Sequence, residues 1–135
     1  MQLYKNILVT IDCSKVDDVI IDHIIKLAKI HESQVNLLHV IHSHTLDQNQ
    51  SLNERSQKYL DKYKEKFNKE KIIVNIINRS GEPENEIIKE IEDNNYDLIA
   101  MATHGHQHFM DFIFGSVSNK LKHKTKIPIL LMKGK

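Results

Sequence analysis

Tryptophan is absent, and the 135 residues include one cysteine, two prolines and four glycines. The lone Cys13 excludes an internal disulfide and suits a reducing compartment. With glycine and proline so sparse, no linker or low-complexity stretch divides the chain. A dominant charge is missing too. Lys plus Arg number 19 and Asp plus Glu 18, for a net charge of +1. That balance supplies no whole-molecule attraction to nucleic acid or to an anionic membrane. No apolar run approaches the roughly 18 residues that a membrane helix needs. Met1 to Asn6 lead straight into a strand-like stretch without an apolar h-region or cleavage signature, so no export signal is read. The expectation is a cytoplasmic protein with neither a membrane nor a nucleic-acid partner.

Against those absences stands an ordinary globular composition, 40% hydrophobic and 27% charged. The length fits one domain over residues 1–135 and is enough to bury a core. Ile7 to Ile11 form a short β-branched run that reads as a buried strand. Asp12, Cys13 and Ser14 break it, with Ser14 in N-cap position and Asp17 three residues on, as in a capping box. Val16, Ile20, Ile24, Leu27 and Ala28 then recur at helical spacing, to about His31. Val35 to Ile41 read as a second strand and His42 to Gln50 as a polar loop. Leu52, Tyr59, Leu60, Tyr63 and Phe67 stripe a charged second helix whose other face is solvated. Ile72 to Ile77 read as the third strand.

Pro83 suits the first turn of a third helix lined by Ile87, Ile88 and Ile91, with Glu84 and Glu86 near its positive end. Asp97 to Ala102 read as the fourth strand. A final helix opens at Gly115-Ser116 and carries Val117 and Leu121; Pro128 to Met132 form a fifth strand. This alternation predicts an α/β fold, a doubly wound parallel sheet with helices on both faces and right-handed crossovers. Ligands of such sheets sit outside the carboxyl ends of the strands, where the winding reverses.

Two strand ends are placed for chemistry. Thr10-Ile11-Asp12-Cys13-Ser14 follows the first strand. Ala102-Thr103-His104-Gly105 follows the fourth, and nine residues later comes Gly115-Ser116. Glycine lets a backbone approach a phosphate closely, and the amides opening a helix form an anion site. Taken alone, glycines at helix starts are more often caps and turns. Ser116 reads equally as a cap or a phosphate ligand. The histidines 39, 42, 44, 104, 106 and 108 lack the spacing of a structural zinc site and read as surface residues. Cys13 reads as a small packed residue at a tight turn. No nucleophile–base–orienter set and no Gly-Lys-Ser phosphate loop is present, which argues against a fast nucleotidase.

Taken in order, these segments resemble the universal stress protein family from Tyr4 to Lys133. The resemblance rests on Asp12-Cys13-Ser14, Leu38-His39-Val40, Gly81-Glu82-Pro83 and Asp97-Leu98-Ile99. It rests above all on the Gly-x2-Gly-x9-Gly-Ser pattern, met here as Ala102-Thr103-His104-Gly105 and Gly115-Ser116-Val117-Ser118. Ala102 replaces the first motif glycine, and His108 stands where the family often has a further glycine. The family implies strand order 3-2-1-4-5 and ATP bound across the crevice between strands one and four. It implies that Thr10, Ile11 and Asp12 border adenosine, with Asp12 also suited to a magnesium ion held by the nucleotide. Val40 meets adenine through its backbone; Met101, Ala102, Thr103 and Gly105 form the ribose and phosphate wall. Gly115, Ser116, Val117 and Ser118 cradle the phosphates. The function so implied is an ATP-binding stress regulator or sensor, a homodimer paired through the last strand, acting on an unidentified protein partner. The alternatives are a member acting by protein contacts without nucleotide, or a slow ATPase. A flavin carrier of related fold would want a hydroxyl-rich loop where Asp12-Cys13-Ser14-Lys15 stands.

Overall fold

The structure is a computed structural model that describes residues 3–13, 15–41, 46–103, 119–120 and 126–133. Five strands alternate with helices: β1 (Asn6–Ile11), α1 (Asp17–His31), β2 (Gln34–Ile41), α2 (Leu46–Lys69), β3 (Val74–Ser80), α3 (Pro83–Asp93), β4 (Leu98–Thr103) and β5 (Ile129–Lys133). The strands form one parallel sheet in the order β3-β2-β1-β4-β5. The expected order is therefore met.

Right-handed crossovers explain where the helices lie. From β1 to β3 the chain steps twice in one direction, and both connecting helices share a face. Ile20, Ile21 and Ile24 of α1 pack with Leu60, Tyr63 and Phe67 of α2 over Ile7, Val9, Val35 and Leu37. From β3 the chain crosses back to β4, which puts α3 on the opposite face. There Ile87 and Ile91 pack with Leu8, Leu38, Ile99 and Met101. The alternation of side chains along β1 divides its residues between the two cores. With both faces covered, the central strands are largely apolar, with Thr10, Asn36 and His39 as buried polar residues on β1 and β2.

Three local expectations differ from the structure. Residues 46–50, expected as loop, open α2. The third strand begins at Val74 rather than Ile72. Ile72 is instead tied by its amide to the Phe67 carbonyl at the end of α2 and is buried there, while Ile73 is exposed. In α1 the N-cap position falls on Val16, which makes no side-chain cap, rather than on Ser14. Ser14 itself lies outside the described residues.

The turn from β3 into α3 needs its glycine. Gly81 has φ +144°, a conformation that side-chain-bearing residues rarely adopt. Glu82 then enters α3 in extended conformation and Pro83 occupies the first turn.

Candidate functional site

The winding reverses at β1, whose neighbours are β2 on one side and β4 on the other. Ligands of doubly wound sheets bind at the carboxyl ends of strands flanking that reversal. Register places Thr10 of β1 beside Leu38 of β2 and Met101 of β4. Met101 and Val40 pack into the core on the α3 side. Ile11 and Ala102 belong to the opposite core, under α1 and α2, where their side chains are buried. What those two residues leave for the strand-end surface is backbone. Thr103 ends β4 opposite Lys133 of β5. Gly105, Gly115, Ser116, Val117 and Ser118 lie outside the described residues.

Thr10 is only 3% exposed, and its Oγ1 has no hydrogen-bond partner among the described residues. A buried hydroxyl left unpaired is costly and unusual.

Asp12 follows directly and is exposed. Its backbone is held from below. The amide of Asp12 donates to Asp17 Oδ1 at 2.9 Å, and the amide of Cys13 donates to Asp17 Oδ2 at 2.7 Å. The hydroxyl of Tyr63, reaching in from α2, donates to the same Oδ2 at 2.8 Å. Asp17 is itself buried, a carboxylate kept in the interior by charge-assisted hydrogen bonds. Burial and the Asp17 charge raise the Tyr63 pKa, so its hydroxyl stays a donor. Cys13 takes a left-handed backbone, φ 58°, to turn the chain here. Burial pushes its thiol up to about 12; the Asp17 carboxylate adds to this and a hydrogen bond with Ser56 opposes it. The thiol is thus protonated and packed at neutral pH, in keeping with the structural role read for it.

His39 completes the polar group, on β2 in register with Ile11 and Asn78. It is buried, and its Nδ1 has no hydrogen-bond partner among the described residues. Desolvation lowers its pKa, against the charge of Asp12 and a hydrogen bond with Asn78. Sequence reasoning placed His39 within a motif but read its imidazole as a surface group; on central β2 it is buried instead. It also paired Asp17 with Ser14 and treated Tyr63 as core alone. Among the described residues no group of three His, Cys, Asp or Glu side chains is arranged to hold a metal ion.

The sequence model of the Universal stress protein family matches residues 3–133. The chain belongs to that family. Two curated universal stress proteins are similar along nearly its whole length. YxiE of Bacillus subtilis is 24% identical over 97% of this chain and 100% of its own. MJ0577 of Methanocaldococcus jannaschii is 26% identical over 98% and 97%. The solved structure of MJ0577 superposes with a TM-score of 0.79 over 98% of each chain. A universal stress protein of Archaeoglobus fulgidus, solved in complex with dAMP, shares the fold at 18% identity. Its TM-score is 0.69, over 97% of this chain and 99% of that one. No helix among the described residues is long and apolar enough to cross a membrane.

Proposed function

We propose that this universal stress protein binds ATP at the carboxyl ends of β1 and β4 and acts as a cytoplasmic, homodimeric regulator whose surface answers to nucleotide occupancy. Residues 1–135 act as one such domain. The observation that carries the reading is the buried Thr10 hydroxyl at the end of β1, which has no hydrogen-bond partner among the described residues, in register with Met101 where the winding reverses. A nucleotide bordering Thr10 would supply the missing partner. Asp12, exposed beside it, would serve a magnesium ion accompanying the phosphates. The A. fulgidus relative solved with dAMP shows that this fold accepts an adenine nucleotide. The Ala102 methyl, which stands in place of a motif glycine, packs into the core under α1 and α2, the face away from Thr10 and Met101. It therefore does not oppose this reading. Gly105, Gly115, Ser116, Val117 and Ser118 would hold the phosphates by backbone amides and the Ser116 hydroxyl.

Calorimetry with ATP and magnesium on ligand-stripped protein tests this. Gly115→Val should block phosphate approach. Ser116→Ala should cost about 1.5–3 kcal/mol, roughly ten- to hundredfold in affinity. Asp12→Ala should weaken binding mainly when magnesium is present. A wild-type protein that takes up no ATP at millimolar concentration would replace this reading with one of protein contacts alone.

A further inference from the structure

We infer that Asp17 is a resident anion that occupies the amide site after β1, fixing Asp12 for the ligand and closing that loop to phosphate. In many doubly wound folds the amides between the first strand and the first helix are an anion site. Here two of those amides, of Asp12 and Cys13, already donate to one carboxylate, at 2.9 and 2.7 Å. The carboxylate is buried, only 1% exposed, and a third donor reaches it from a different helix, the Tyr63 hydroxyl at 2.8 Å. A phosphate entering the loop would have to displace a charge of its own sign from these donors. The phosphates of a nucleotide are thereby directed to the other side of the crevice, toward the segment after β4. The same bonds restrain the backbone of Asp12, so the direction of its Cα–Cβ bond is set before any ligand arrives. Asp17 is thus a positioning and specificity residue rather than a ligand contact. This inference rests in part on the proposed nucleotide site, so two arms of its test need no nucleotide.

In the first arm the single cysteine is the reporter. Cys13 sits on the clamped turn, and its buried thiol, with a pKa raised to about 12, reacts slowly with a thiol reagent. Labelling is followed in wild type, Asp17→Asn and the milder Tyr63→Phe, alongside urea unfolding of each. Asp17→Asn should label about tenfold faster or more under native conditions, beyond what its change in global stability accounts for, and Tyr63→Phe should fall between. Labelling that merely follows global unfolding would overturn the clamp.

The second arm follows the Asp12 and Cys13 amide resonances during titration with inorganic phosphate. They should stay fixed in wild type and move in Asp17→Ala; amides that ignore phosphate in both would overturn the exclusion. The third is calorimetry with ATP and magnesium. Asp17→Asn should weaken binding about tenfold in the wild-type background and far less in Asp12→Ala, because it acts through that carboxylate. Equal losses in both backgrounds would overturn positioning. If wild type binds no ATP, the nucleotide reading fails by itself, and labelling and phosphate titration still decide the role of Asp17.

Discussion

His39 is a group whose charge the fold resists. Burial holds its imidazole below the ordinary value of 6.5, and Asp12 and Asn78 offset only part of that. The unfolded chain therefore binds a proton that the folded chain does not, so stability falls as the pH drops below about 6.5. The loss continues to the lower folded value, at no more than about 1.4 kcal/mol for every pH unit in that window. Above 6.5 His39 contributes no pH dependence. Urea unfolding at pH 7.5 and 5.5 should show this slope in wild type and a flatter one in His39→Asn. Equal slopes would mean that the imidazole takes up its proton without cost in the folded state.

At the scale of elements, the β3–α3 turn is under a tight local constraint. A Cβ on Gly81 would meet the Glu86 side chain at 3.2 Å, in a backbone conformation already unfavourable for other residues. Glu86 also pairs with Arg79 at 3.3 Å, and Arg79 in turn meets buried Glu90 at 2.9 Å. Gly81→Ala should lower stability by about 1–3 kcal/mol in urea unfolding. A neutral result would mean that the turn relaxes without disturbing that network. Most elements were legible in the sequence because each buries a clear pattern: short apolar runs for β1 and β4, a largely apolar segment interrupted by Asn36 and His39 for β2, and helical spacing for α1 and α3. β3 was displaced because it is an edge strand. Asn75, Asn78 and Ser80 face solvent, while the apolar pair Ile72-Ile73, expected as the strand's start, belongs to the approach from α2. The start of α2 was missed because its first turns carry few apolar residues, and Ser56 holds one buried place on its inner face. In the candidate site Thr10 and Asp12 were legible from the motif at the end of β1. The link from Asp17 to Tyr63 was not. Periodicity assigns Tyr63 to the core and says nothing of where its hydroxyl finds an acceptor 46 residues away.

For the whole molecule, the two edges of the sheet, β3 and β5, leave hydrogen-bonding groups for another chain. β5 is the expected dimer edge, and Leu131 on it is 41% exposed. Sedimentation at tens of micromolar should show a dimer for wild type and a monomer for Leu131→Lys, since a charge on an edge strand opposes pairing. A wild-type monomer would remove the pairing from the proposed function; a dimeric Leu131→Lys would move the interface elsewhere. The strand order also bears on how the protein is made. β1 emerges from the ribosome first, yet it lies at the centre of the sheet, and its second neighbour, β4, follows roughly 90 residues later. At about 5–20 residues per second, one edge of this central strand waits roughly 5–20 s for its partner. During that interval the nascent chain presents Ile7, Leu8, Val9 and Ile11 to whatever is nearby. Synthesis under the conditions that unfold other proteins would then make this chain a client of chaperones before it is able to serve in any other capacity.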